Sequence, residues 1–200
     1  MGTEVVGETW RCFVGVPIAA RLRTDLQAAV ARWQARENAP DLRWTDPDGW
    51  HVTLAFLGAT DPSDVTGLLS ALRAAADEVA GFQLKTGEVG AFPRPGAAQA
   101  IWYGVSDPHH QLTNLAAKVQ AAVLPFSERA RFRPHLTLAR SRVRRGEPLG
   151  SWLTTLDPPP GTLRVGGLTL FRSHLGRGPA RYEVLARLPL SGAGSGRGRA

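Results

Sequence analysis

Two stretches of the chain place a histidine at the head of an apolar run: HVTLAFLG at 51–58 and HLTLAR at 135–140. In an extended strand, residues i and i+2 share a face. His51, Thr53 and Ala55 therefore fall on one side of the first run, with Val52, Leu54 and Phe56 on the other. His135, Thr137 and Ala139 separate in the same way from Leu136 and Leu138. Each polar face then presents an imidazole, a hydroxyl and a methyl small enough to leave open space. A lone histidine in an apolar run is more often a hydrogen-bonded structural residue. The same His, aliphatic, Thr, Leu, Ala pattern twice in one register has no simple packing cause and points to a site.

If two related lobes bring these faces together, two imidazoles and two hydroxyls surround a common point. That set suits cleavage of a phosphodiester. An imidazole with an ordinary pKa of about 6.5 serves as base when neutral and as acid when protonated. Threonine hydroxyls can donate to the non-bridging phosphoryl oxygens, where transition-state charge is concentrated. Arg133, two residues before His135, shares its face by alternation and can supply a fixed positive charge. The scheme needs neither metal nor other cofactor. A zinc site wants three or four ligands, and neither motif carries an Asp, Glu or Cys near its histidine on that face.

The composition sets the context. The 24 basic and 17 acidic residues leave a net charge of +7, and the basic residues are arginines apart from Lys85 and Lys118. Arginine favours planar, bidentate contact with phosphate, so a phosphate-bearing partner is expected. The single Cys12 excludes an internal disulfide framework and reads as a buried structural thiol in CFVGV. No stretch reaches the roughly 18 apolar residues of a membrane span, and MGTEVVGETW lacks the order of a signal peptide. A soluble, cytoplasmic, monomeric protein with no membrane partner is the expectation.

The elements that must position the motifs follow from periodicity. WRCFVGV at 10–16 reads as a strand, and Leu22, Leu26, Ala29, Val30 and Trp33 recur at helical spacing. A short strand at 42–45, the DPDG turn and the first motif strand come next. A second helix carries Val65, Leu68, Leu69, Leu72 and Val79. The second half repeats that grammar loosely, with strands at 82–89 and 99–105, a helix within 107–124 and the motif strand at 132–140. A short helix near 149–156 and closing strands at 163–171 and 182–188 complete it. SGAGSGRGRA, 191–200, reads as a disordered tail. The expectation is an α+β fold: one bilobal domain over 1–190, two mainly antiparallel sheets flanking a V-shaped cleft, and helices outside.

HVTL and HLTL resemble the paired signatures of the 2H phosphoesterase superfamily, and RCFVGVPI, RWTDPDGWHVTLAFLG, FRPHLTLAR and LTLFRSHLGRGPARYEVLARLPL resemble its RNA 2′,3′-cyclic phosphodiesterase branch, also named for 2′-5′ RNA ligase activity. The resemblance implies a V-shaped cleft and hydrolysis of an RNA 2′,3′-cyclic phosphate end to a 2′-phosphomonoester, with 2′-5′ ligation as the reverse reaction. It implies His51 as proton donor and His135 as proton acceptor, and phosphate contacts from Thr53, Thr137 and Arg133. Alternatives are a nucleotide- or RNA-end-binding module without turnover, or a phosphodiesterase for a small cyclic nucleotide or ADP-ribose cyclic phosphate. Phe13 and Trp44 are candidates for stacking a base, and Arg43, Arg94 and the 142–145 cluster for guiding an RNA backbone. His109 and His110 read as solvent-facing, and His174 has no assigned role.

Overall fold

A computed structural model describes residues 8–124, 131–174, 176 and 180–191. The first seven residues and the tail beyond Ser191 lie outside the described residues. Among the described residues, nine strands and four α-helices follow in the order β1 (Trp10–Pro17), α1 (Ala20–Gln34), β2 (Leu42–Trp44), β3 (His51–Thr60), α2 (Val65–Asp77), β4 (Phe82–Phe92), β5 (Ala100–Val105), α3 (Gln111–Ala122), β6 (His135–Ser141), α4 (Gly150–Leu153), β7 (Gly161–Val165), β8 (Gly167–His174) and β9 (Arg181–Pro189). The amphipathic reading of α1 holds residue for residue: Leu22, Leu26, Ala29, Val30 and Trp33 are its buried positions. The third helix lies within the segment expected for it and begins at Gln111. Asp107 folds the chain into a turn, its carboxylate accepting hydrogen bonds from the amides of Leu112 and Thr113 at 3.2 and 2.9 Å. None of the described helices is long and apolar enough to cross a membrane.

The strands run in the order β7-β4-β5-β6-β3-β1-β8-β9, with β2 added to β6. All pairings between named strands are antiparallel. The two expected sheets are thus the halves of one curled sheet. They meet between the motif strands β3 and β6 at a single residue pair, Val52 with Leu136. One half carries β1-α1-β3 and the other β5-α3-β6, so an approximate twofold through that pair exchanges the motifs. The helices pack on the outer face: buried side chains of α1, α2 and α3 join Val52, Leu54, Leu136 and Leu138 in the main core.

The apolar run expected as one closing strand, 163–171, is broken. Val165 ends β7, which pairs with β4 in one half, and Gly167 begins β8, which pairs with β1 in the other. Hydropathy is the same on both sides of Gly166, so the pattern carries no mark of the crossing. The far ends of the sheet also meet there. Leu190 donates its amide to the Gly166 carbonyl at 3.0 Å, and Ser191 bridges to Ala80.

A second departure lies inside the motifs. On β1, Val14 and Gly15 face Ala55 and Thr53, leaving Leu54 as an extra residue. On β5, Ile101 and Trp102 face Ala139 and Thr137, leaving Leu138 extra. Each motif thus contains a β-bulge at its leucine, which reverses the facing of the residues that follow it, and on β3 a second bulge at Leu57 reverses it again. Ala55 and Ala139 are not on the histidine faces as alternation implies: both are buried among core residues. Phe56, expected in the core, is 63% exposed and lines the cleft, whereas Leu57 is buried. Urea denaturation checks this directly. Leu57→Ala is expected to cost about 2–5 kcal/mol and Phe56→Ala under about 1 kcal/mol, the reverse of what strict alternation predicts.

Candidate active site

The antiparallel pairing of Val52 with Leu136 places His51 opposite Thr137 and Thr53 opposite His135, one residue to either side. These four residues and Arg133 line one cleft of about 930 Å³ on the inner face of the sheet. The two histidines are held alike. His51 donates from Nδ1 to the Gly49 carbonyl at 2.6 Å, and His135 donates from Nδ1 to the Arg133 carbonyl at 2.7 Å. A carbonyl oxygen can only accept, so each Nδ1 carries its proton in both charge states. Nε2 is left as the nitrogen that gains and loses a proton. Nε2 of His51 lies 3.0 Å from the Thr53 hydroxyl.

Aromatic rings enclose the first histidine. His51 stacks on Phe13 with centroids 4.6 Å apart and meets the edge of Tyr182 at 5.2 Å, with Phe171 at 5.5 Å. Burial among these rings drives its pKa down to about 4, and the charge of His135 adds to the effect while the Gly49 carbonyl opposes it. His135 is less enclosed: among the described rings it meets Phe92 edge-on at 4.9 Å. Its pKa is also lowered, first by burial and then by Arg140 and Arg133, against the pull of the Arg133 carbonyl. The Arg133 guanidinium sits 5.4 Å from the Phe92 centroid, so arginine, phenyl ring and imidazole form one packed row.

Glycines make room for this packing. A Cβ on Gly15 would lie 3.1 Å from His51 Cδ2 and 3.0 Å from the Val52 carbonyl oxygen. A Cβ on Gly49 would lie 2.8 Å from the Tyr182 ring. Neither glycine stands out in sequence, because its constraint comes from a ring on another strand. Tyr182 and Phe171 were also missed, since β8 and β9 read as closing strands. Arg140 reaches the cleft only because of the Leu138 bulge.

The remaining candidates fall elsewhere. Phe13 is buried beneath His51 and so is not free to stack a base. Trp44 lines the cleft while packing against both core clusters. Arg43 lines the cleft, whereas Arg142 is exposed and pairs with Asp41 at 3.1 Å. His174 lies on the surface 2.9 Å from Glu183 across the β8–β9 ladder. His109 and His110 are exposed, and His110 adopts a left-handed conformation (φ 55°) at the start of α3. Cys12 is a buried free thiol whose pKa is raised by burial.

The profile of the 2′-5′ RNA ligase superfamily matches residues 22–177. The chain belongs to that superfamily. It is 30% identical over 185 residues to an RNA 2′,3′-cyclic phosphodiesterase of Geobacillus stearothermophilus, an alignment covering 90% of this chain and 58% of the relative. It thus spans little more than half the length of that protein. A Bacillus subtilis (strain 168) protein of the same name is 28% identical, with 90% of this chain and 96% of the relative covered. The solved structure of Escherichia coli LigT in complex with 3′-AMP superposes with a TM-score of 0.71 at 27% identity, covering 92% of this chain and 99% of LigT. The fold is accordingly the α+β fold of the 2H phosphoesterases.

The two histidine environments can be read by NMR titration of the ring resonances. His51 is expected to titrate near pH 4 and His135 below 6.5. In Gly15→Ala the added methyl should lift the His51 ring off its seat and return its pKa toward 6.5, with the fold retained.

Proposed function

We propose that the chain hydrolyses RNA 2′,3′-cyclic phosphodiester ends to 2′-phosphomonoesters by two-histidine acid-base catalysis. The observation that carries this reading is the matched pair of imidazoles, each with Nδ1 tied to a carbonyl, lining one arginine-bearing cleft. The names of the relatives and the 3′-AMP complex of LigT support a nucleotide phosphate as the occupant.

In the proposed step, Nε2 of His135 takes a proton from water as its oxygen attacks phosphorus. The bond between phosphorus and the 3′ oxygen breaks, and Nε2 of His51 gives its proton to that oxygen. Phosphate stays on the 2′ oxygen. The Thr53 and Thr137 hydroxyls donate to non-bridging oxygens, and the Arg133 guanidinium faces the same charge. With a 5′-hydroxyl in place of water, the same sequence opens the cyclic phosphate, protonates the 3′ oxygen and leaves a 2′-5′ phosphodiester.

The depressed pKa values bear on this division of labour. With His51 near 4, its ring is neutral at pH 7 in the free protein. A bound phosphate anion favours the imidazolium, so the acid form of His51 is made by substrate binding. A binding anion should therefore bring a proton with it. Calorimetry of a nucleoside 2′-monophosphate at pH 7, in buffers of different ionisation enthalpy, is expected to show net proton uptake that His51→Ala abolishes.

Activity itself is tested by phosphorus NMR of a 2′,3′-cyclic-ended oligonucleotide in excess chelator, where the product signal should be that of a 2′-phosphomonoester. Loss of either imidazole, in His51→Ala or His135→Ala, should lower kcat by about 10²- to 10⁴-fold. The productive free protein holds one proton on the pair, and that population peaks between the two pKa values. Both lie below 6.5, so the kcat/KM optimum is expected on the acid side of pH 6.5. An optimum near 8 would contradict the assignment.

A further inference from the structure

The chain has two tyrosines, and the fold treats their hydroxyls differently. Tyr103 is fully buried, and its hydroxyl donates to the Pro159 carbonyl at 2.6 Å and meets the Thr86 hydroxyl at 2.9 Å. Such engagement is usual for a phenol taken out of water. Tyr182 is half-buried and lines the cleft, yet among the described residues its hydroxyl has no hydrogen-bond partner. Phe13 and Phe171 show that enclosing His51 requires only a ring. The oxygen on Tyr182 adds nothing to that packing and is left to a ligand in the cleft.

The ring that carries this oxygen is fixed from several directions. Tyr182 stands on β9 opposite Ser173 of β8, and Ser173 stands opposite Arg11 of β1. From there the side chain reaches back over the first lobe. It meets Phe13 at 5.1 Å and His51 at 5.2 Å, with interplanar angles of 81° and 89°. It also lies against Gly49, where a Cβ would come within 2.8 Å of the ring. Gly49 in turn supplies the carbonyl that accepts the His51 Nδ1 proton. One ring therefore touches both the imidazole and the turn that orients it, so the bearing of its hydroxyl is set before any ligand arrives.

That hydroxyl shares an electrostatic environment with the facing lobe. Burial raises the Tyr182 pKa above its ordinary value of about 10, and the charge of Arg140 on β6 opposes the rise. The phenol therefore keeps its proton at neutral pH and is a donor. After burial, the charge of Arg140 is also among the causes that lower the pKa of His135. Phenol, guanidinium and second imidazole thus address one common space, the one between the two histidines.

We infer that the Tyr182 hydroxyl donates a hydrogen bond to a non-bridging oxygen of the reacting phosphate, which makes Tyr182 a further catalytic residue. The inference rests on the phosphodiesterase reading above and adds a donor to it. Thr53 and Thr137 approach the phosphate from the paired motif strands, and Tyr182 approaches from the outer strand of the first lobe. Charge builds on the non-bridging oxygens as the attack proceeds, and a donor already in place stabilises it without reorganisation. The phenol gives up no proton in this step, so the acid and base roles stay with the histidines.

Tyr182→Phe is the decisive variant, because it deletes the oxygen and keeps the ring. On a 2′,3′-cyclic mononucleotide its kcat/KM is expected to fall by about 10- to 100-fold, the range of a hydrogen bond to a charged group. Calorimetric affinity for a nucleoside 2′-monophosphate should fall with it. By NMR His51 should titrate as in the natural protein, and the melting temperature should hold, because no bond within the protein is lost. Tyr182→Leu, which removes the ring as well, should also return the His51 pKa toward 6.5. A Tyr182→Phe protein equal to the natural one in both kcat/KM and affinity overturns the inference. So does a loss accompanied by a shifted His51 titration, since the ring's hold on His51 then accounts for it. Weaker binding of the 2′-monophosphate by Tyr182→Phe, with no turnover by the natural protein, overturns the reaction and leaves the hydroxyl contact standing.

Discussion

The pairing of Val52 with Leu136 is the contact on which the site depends. It joins the two halves of the sheet at one point and sets each motif histidine opposite the other motif's threonine. Because the strands pair only there, they diverge on either side, and the inner faces open into a cleft. A longer ladder between β3 and β6 would have kept the two polar faces side by side on a flatter surface. The helices buttress this junction from behind: Val52, Leu54, Leu136 and Leu138 are buried with side chains of α1, α2 and α3. Packing on the outer face thus maintains geometry on the inner one.

Within the cleft the two histidines are equivalent in backbone and unequal in surroundings. Each donates its Nδ1 proton to the carbonyl two residues earlier, which leaves Nε2 as the nitrogen that gains and loses a proton. The twofold ends at the next layer. His51 is enclosed by Phe13, Phe171 and Tyr182, whereas His135 meets Phe92 and the charges of Arg133 and Arg140. Both pKa values fall, the first chiefly because desolvation opposes the imidazolium, the second through desolvation with cationic repulsion added. The cleft therefore disfavours positive charge on either ring and is lined by arginines, an arrangement that an incoming anion stabilises.

The paired leucines of the motifs illustrate how far a sequence pattern reaches. HVTLA and HLTLA match because each makes the same bulge, turning its alanine into the core and the following residue into the cleft. Up to the threonine, strict alternation assigns every side chain to its observed face. Beyond it, alternation misplaces Ala55, Phe56, Ala139 and Arg140. The crossing at Gly166 escaped for a related reason: a continuous apolar run records burial, and both β7 and β8 are buried in part, although they belong to opposite halves of the sheet.

By itself the sequence determined the chemistry available and most of the elements. Two histidines and two threonines in one register, an excess of arginine, and helices such as α1 with its five buried positions are all local properties of composition and period. Tertiary structure alone decided which side chains share the cleft with them. The roles of Gly15 and Gly49 depend on rings that arrive from other strands, and Arg140 reaches the cleft through the bulge its strand makes against β5. Such relations arise from strand pairing between distant segments, and no periodicity within either segment encodes them. They are settled only when the sheet curls and its halves meet.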